Sequence, residues 1–478
     1  MTLSKRGHFL FILHVLITAA SIADAAVARV TIDPSDRHQT IEGWGATLSL
    51  HGIPFVEWAE DPTAEQYDRL PIEKPVPDGL RTRIIEEAVV HLGLNRFRLE
   101  IGPQVEFRND NDDPHVINAA AYRFAWQDAI ATRWLVPLKH LIEHRGEKLV
   151  LYISYDLSRA VNWGDRLTPP WLLEPREYAE MALATLGHLK ESHGLEVDYW
   201  AVLNEPGHGG RPGNPDLLAQ ILTETSRRIQ KAGYRTRMCG PEVHDIRHVT
   251  PYLEALRRTP GGIDHLAQIT FHLYGHHNNV AHRKVIRNWA NILGVTAAQT
   301  EWHAGVGLQA AEVLHLDLTV TGVSSWEQYG LAWPVNAYSA KGGADYFLID
   351  EDYRGFRMNT NAWYLRHYMK YVRPGAVRIG ARSDTSSIKP VAFVTPSQQH
   401  VAVIINANAT PADIEIDGLQ SGSYEVSSTA DGHLGEEHPT LAALSGVPAR
   451  VRLPARSVLT ISPQARLRPE SQRPAGHE

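Results

Sequence analysis

Eight short β-type runs, each followed by a stretch of helical periodicity, constrain this chain more than any other feature. Strands that alternate with helical crossovers build a parallel sheet. The runs are Ile41 to Thr47, Arg96 to Gly102, Leu149 to Tyr155, Tyr199 to Asn204, Arg237 to Pro241, Gln268 to Tyr274, Thr296 to Glu301 and Thr321 to Glu327. The helical stretches are Gly79 to Leu92, Arg133 to His144, Glu177 to Glu191, Asp216 to Lys231, Thr250 to Arg258, Ala281 to Leu293, Leu308 to Leu316 and Thr360 to Lys370. Asp78 and the pair Asn214-Pro215 mark two of their starts. Eight such units close into a barrel. An open doubly wound sheet can be drawn from the same elements, but no Gly-rich phosphate turn follows any strand. The expected fold class is α/β: a (β/α)8 TIM barrel over residues 41–370.

After Tyr371 the pattern changes to short alternating segments separated by turns: Val391 to Val394, His400 to Asn406, Asp413 to Ile416, Tyr424 to Ser428 and Ser457 to Ile461. These predict an accessory antiparallel β-sandwich over residues 371–465, joined by an N-terminal strand within 27–40, from Ala28 to Asp33. A length of 478 residues suits a barrel of roughly 250 to 400 residues with a smaller partner better than a single core. The end, 466–478, carries Pro469, Pro474 and mixed charges and is expected to be a flexible tail.

Lys5 and Arg6 precede the apolar run Phe9 to Ala20, which is followed by Ala23-Asp24-Ala25. This is the pattern of a signal peptide over residues 1–25, with a run too short to span a bilayer comfortably. A secreted or periplasmic protein, free of the membrane after cleavage, is expected. The formal net charge of −7 becomes −8 once Lys5, Arg6 and Asp24 leave. A mildly acidic chain without basic runs is poorly suited to phosphate backbones, so nucleic acid is excluded as a partner. Cys239 is the single cysteine, so no intramolecular disulfide forms; it sits in a strand-like run and reads as a buried structural residue.

In a barrel of this kind the carboxyl ends of the strands carry the chemistry. The fourth and seventh runs end in Asn204-Glu205-Pro206 and Thr300-Glu301-Trp302. Those strands face each other across the mouth, and glycosidic cleavage with retention needs two carboxyls about 5 to 5.5 Å apart, one protonated and one ionised. Two like charges in a partly dry cleft are expected to push one of them towards the protonated form. Arg98, in the second run, can hold a nucleophilic carboxylate ionised through a charge-assisted hydrogen bond. Trp326 can serve as an aromatic platform under a sugar, and Trp44 can line the pocket floor, with Trp163, Trp302 and Trp333 in or near βα loops. Glu42, Glu100, Glu242 and Glu327 also fall near strand ends; Glu327 or Glu242 stands next should either main carboxyl fail. His272, His276, His277 and His303 lack any His-Glu-x-x-His or paired-cysteine spacing, so neither a catalytic metal nor another cofactor is expected.

The sequence resembles glycoside hydrolase family 30, within clan A, through Ile41-Glu42-Gly43-Trp44-Gly45, Asn204-Glu205-Pro206, His272-Leu273-Tyr274, the run Tyr371 to Ile379 and Ser457 to Ile461. The resemblance implies a retaining β-glycosidase with Glu205 as acid/base and Glu301 as nucleophile. It further implies that Asn204 bonds the sugar 2-hydroxyl and that His272 and Tyr274 line the pocket. The expected partner is a carbohydrate, bound by a monomer. The third run, Tyr152-Ile153-Ser154-Tyr155-Asp156-Leu157, lacks the Trp-rich run ending in Met-Lys expected of glucosylceramidase-type and xylanase-type members. The resemblance does not assign the strand-one loop His51 to Phe55 either. β-Glucoside, β-xylan, β-1,6-glucan and β-galactan therefore all stay open as substrates. A non-catalytic carbohydrate-binding protein on the same scaffold, or a retaining hydrolase of another clan A family, are the rival readings.

Overall fold

The computed structural model describes residues 27–48, 76–102, 105–106, 109, 111–156, 173–303, 305–335 and 345–464. The signal peptide, the His51 to Phe55 loop, Trp163 and the expected tail lie outside the described residues.

Eight strands close into a barrel: β2 (Gly43–Thr47), β3 (Arg96–Ile101), β4 (Val150–Tyr155), β5 (Tyr199–Ala201), β6 (Arg237–Asp245), β7 (Leu266–Gly275), β8 (Thr296–Glu301) and β9 (Ser325–Gln328). Every pairing is parallel, and β2 bonds both β3 and β9 to complete the ring. The side-chain alternation of a strand sorts each run into two faces. In β3, Phe97, Leu99 and Ile101 join the apolar layer beneath the helices, while Arg96, Arg98 and Glu100 are buried on the other parity, in the barrel interior. An interior charge must be paired. Arg96 meets Glu327, Glu42 at 3.0 Å and Gln268 at 3.0 Å.

The helical layer comprises α1 (Asp78–Glu86), α2 (Ala125–Ile130), α3 (Val136–His144), α4 (Pro175–His193), α5 (Pro215–Lys231), α6 (Val249–Arg258), α7 (Val280–Leu293), α8 (Leu308–Leu316) and α9 (Thr360–Met369). In α5, Leu218, Ile221, Leu222, Thr225 and Ile229 form the buried stripe, and the Asn214 side chain caps the start by accepting from the Asp216 and Leu217 amides. Glu174 caps α4 in the same way.

The last barrel strand is Ser325–Gln328 rather than the expected run from Thr321, because Thr321 ends a helical turn that Gly322, at φ 77°, terminates. The ladder of β5 stops at Ala201, short of Asn204, and β6 runs on past Pro241 to Asp245. A small sheet of β10 (Gly330–Pro334), β11 (Asp345–Ile349) and β12 (Phe356–Met358), unanticipated in the sequence, sits between β9 and α9.

The second unit is a nine-stranded sheet built from β1 (Ala28–Thr40) and β13 to β20: Val377–Ser383, Ile388–Val394, His400–Asn406, Ala412–Asp417, Gly422–Ala430, His433–Ala443, Ala449–Leu453 and Ser457–Pro463. Its pairings are antiparallel except for β1 with β16. In β14, β15 and β20, alternate residues serve two cores. Val391, Phe393, Val401, Val403, Ile405 and Val458 pack into the apolar layer of the barrel. Ala392, Val394, Ala402, Ile404, Leu459 and Ile461 form the core of the sandwich itself. His367 of α9 bonds Thr460 and Thr429 across the junction at 2.8 and 2.9 Å.

Candidate active site

The chain leaves β5 at Ala201, and the Asn204 amide hooks onto the Tyr155 carbonyl at 2.7 Å. Glu205 follows at φ 47°, its amide donating to the Glu242 carbonyl at 3.0 Å, and Glu242 itself stands at φ 60°. Left-handed backbone is strained for a glutamate, and both residues hold it at the mouth of the barrel.

Glu301 ends β8 opposite. A register shift between Phe271 and His272 sets His272 beside Glu301 in the ladder. One carboxylate oxygen of Glu205, one of Glu301 and a ring nitrogen of His272 all lie within 4.8 Å of one another. Arg98 donates to Glu301 from Nη1 and to Asn204 Oδ1 from Nη2, the latter at 2.7 Å. Tyr274 donates to the other Glu301 oxygen at 2.8 Å, and Asn204 Nδ2 donates to Asp156 at 3.2 Å. The site thus brings together Glu205, Glu301, Asn204, Arg98, His272 and Tyr274.

Three residues around Glu205 escaped the sequence reading. His244 Nδ1 lies 2.8 Å from Glu205 Oε1, and Arg211 donates to Oε2 at 3.3 Å. His208 stacks on His244, with ring centroids 3.7 Å apart and planes within 4°. His244 lay beyond the expected end of its strand at Pro241, and Arg211 and His208 lie in a Gly-rich loop without periodicity; only nearness in sequence to Glu205 pointed to them. A cavity of about 420 Å³ adjoins this side, lined by Pro206, His208, His244, Arg247, His248 and Tyr252 among others.

His272, fully buried, touches three carboxylates: Glu205 at 3.0 Å and Glu301 at 3.8 Å from Nδ1, and Glu242 at 3.4 Å from Nε2. Thr300 donates to Glu242 at 2.5 Å and fixes it. Burial alone would lower His272, but Glu301, Glu205 and Glu242 outweigh it and push it up to about 10. Burial alone would raise Glu205, but hydrogen bonds from His244 and His272 outweigh it and hold the carboxyl below the ordinary carboxylate range. The expected repulsion between two carboxylates therefore does not protonate Glu205 in the free protein, because an imidazolium stands between them. Arg98 is held cationic by Glu301, Glu242 and Glu100, which outweigh its burial.

Both tryptophan expectations need correction. Trp326 is 0% exposed and donates to Asp317 at 3.0 Å, and Trp44 is 0% exposed and donates to the Val372 carbonyl at 2.6 Å. They are register partners on β2 and β9, where Gly45 and Glu327 occupy the interior parity, so both indoles point into the layer outside the barrel. Neither can stack on a sugar. Trp302 is buried edge-on against Trp326 and Trp333 is buried as well. Of the other carboxylates flagged, Glu327 and Glu42 pair with Arg96 in the barrel floor, and Glu100 lies 3.7 Å from Arg98. Burial, only partly offset by Arg96, raises Glu327 to about 7. His276 bonds Asp245 at 3.0 Å. Cys239 is buried among Val150, Tyr152, Tyr199 and Ala201.

Residues 375–461 match the family described as "Glycosyl hydrolase family 30 beta sandwich domain". No curated protein sequence matches the chain. Among solved structures, the fold is shared with the catalytic domain of GH30 xylanase C from Talaromyces cellulolyticus, with a TM-score of 0.68 at 17% identity over 91% of this chain and 99% of that one. It is shared with the glycoside hydrolase family 30 subfamily 8 xylanase Xyn30A from Clostridium acetobutylicum, with a TM-score of 0.65 at 16% identity over 91% and 98%. The endo-β1,6-glucanase BT3312 gives 0.63 at 16% identity over 92% and 94%.

Proposed function

We propose that this glycosidase, a family 30 sandwich joined to the barrel fold seen in family 30 xylanases, cleaves β-linked O-glycosidic bonds in an oligosaccharide, polysaccharide or glycoconjugate by double displacement. The observation that carries this reading is the approach of the Glu205 and Glu301 carboxylate oxygens to within 4.8 Å of each other. That separation suits direct attack by one carboxylate and is too small for a water to be activated between them.

Glu301, oriented by Arg98 and Tyr274, attacks the anomeric carbon. The bond to the leaving oxygen breaks as that oxygen takes a proton from Glu205. Glu205 and His272, 3.0 Å apart, hold that proton jointly: it rests on the imidazole in the free site and passes through the Glu205 carboxyl to the leaving group. In the second half, Glu205 takes a proton from water as the water attacks the glycosyl ester, which frees Glu301. Asn204, anchored by Arg98 and Asp156, faces the sugar 2-hydroxyl. The cavity beyond His208 and His244 receives the leaving group.

The first residues direct export by this reading, and among the described residues no helix is long and apolar enough to cross a membrane. Hydrolysis of aryl β-glycosides and a panel of β-linked polysaccharides tests the proposal. Glu205→Gln and Glu301→Gln should each lower kcat by orders of magnitude, and the first-formed sugar should keep the β-anomer in an NMR time course. An α-anomer released first, or full activity in either variant, would refute the assignment.

A further inference from the structure

Outside the mouth, two imidazoles of α4 converge on one oxygen of α2. His188 Nε2 lies 2.5 Å and His193 Nε2 2.6 Å from Asp128 Oδ1, and the three donor atoms all fall within 4.8 Å of one another. Residues five apart on a helix point about 140° away from each other, so they do not ordinarily share a target. Here His193 closes α4 immediately before Gly194, whose φ of 63° ends the helix, and the two rings meet edge-to-face at 71°. Phe124 stacks on the His188 ring at 4.0 Å with planes within 12°, which fixes its orientation. The three side chains are partly exposed, at 23%, 11% and 39%, so water can reach the point where they converge.

Two imidazole nitrogens and a carboxylate oxygen aimed at one point are the donor set of a borderline transition metal. We propose that Asp128, His188 and His193 bind one divalent transition-metal ion, zinc by preference, which fastens α2 to α4, with solvent completing the coordination shell. Zinc at about 2.0 to 2.1 Å from each donor sets tetrahedral neighbours about 3.3 Å apart. Each ring then retreats from the carboxylate by less than about an ångström, a movement that side-chain rotation supplies. The site is structural and independent of the glycosidase reading.

The test is calorimetric titration of Zn2+ alone into the EDTA-treated full chain, followed by thermal melting. The chain should take up zinc and gain about 2 °C or more in Tm at saturation. The double variant His188→Ala with His193→Ala should lose both effects while retaining wild-type turnover of an aryl β-glycoside. The single variant His193→Gln, at the helix end, carries the same expectation should the double variant fail to fold, with circular dichroism as the check. Zinc held at Glu205, His208 and His244 instead would inhibit turnover and bind the α4 variants unchanged. That result overturns the proposal, as does a wild-type Tm that zinc leaves where it was.

Discussion

His272 is the residue on which the charge balance of the mouth turns. Its fully buried ring faces Glu205 from the loop after β5, Glu242 from β6, Glu301 from β8 and, beyond these, Arg98 from β3 with Tyr274 on its own strand. Because the imidazole loses its proton only as pH rises through about 10, the alkaline limb of kcat/KM should fall there and not in the carboxyl range. Glu242→Gln removes one of the three carboxylates that hold the proton, so it should move that limb to lower pH while leaving Glu205 and Glu301 in place. A pH–rate profile of the two proteins checks this, and an unmoved limb would assign the acid proton elsewhere. The positions of Glu205 and Glu301 were legible because strand ends in a counted barrel are few; Arg98 was read from its strand and its charge, and Asn204 through the resemblance carried by Asn204-Glu205-Pro206. Trp44 and Trp326 were misread because their place on a barrel strand does not by itself say which face they occupy. With Arg96 and Arg98 turned inward, the interior positions of β2 and β9 fall to Gly45 and Glu327, so the indoles beside them face outward. His244 and Arg211 were illegible for different reasons: β6 carries His244 beyond Pro241, where the expected strand stops, and the position of Arg211 depends on how its loop folds back, which no local period encodes.

Gly45 shows how tightly the strands are drawn together. A Cβ there would stand 2.5 Å from the Arg96 carbonyl oxygen and 2.8 Å from the Glu327 side chain, so Gly45→Ala should cost about 1 to 3 kcal/mol, read as a shift in the denaturant midpoint. Asn214→Ala should cost about 1 kcal/mol by uncapping α5, which leaves the Asp216 and Leu217 amides without their acceptor. That helix was readable from its Asn-Pro start and its apolar stripe. β18 was not: its residues are largely exposed and polar, with Glu436, Glu437 and His438 in sequence, so neither alternation nor β-branched side chains signalled a strand. β10 to β12 were hidden by brevity, since β12 spans three residues.

The two units meet at a buried neutral histidine, His367 of α9. Burial above all lowers His367, bonded to Thr460 and Thr429, to about 3, and lowers His315 of α8 to about 3 as well. An unfolded histidine titrates near about 6.5, so between that pH and about 3 the unfolded chain binds more protons and stability falls as pH falls. Each site can contribute up to a few kcal/mol to that loss. Acid unfolding should therefore begin below about pH 6.5, and His367→Gln, which still bonds a threonine hydroxyl but cannot take up a proton, should flatten part of the slope; equal slopes in both proteins would place the sensitivity elsewhere. The plan of barrel and sandwich was visible in the change of period after Tyr371, whereas their union was not, because only the folded sheet reveals that β14, β15 and β20 have no wet side. Ending the chain before the sandwich would not yield a free-standing catalyst: it would bare an oily flank under α9, and the shortened product should clump on expression where the entire chain stays dispersed.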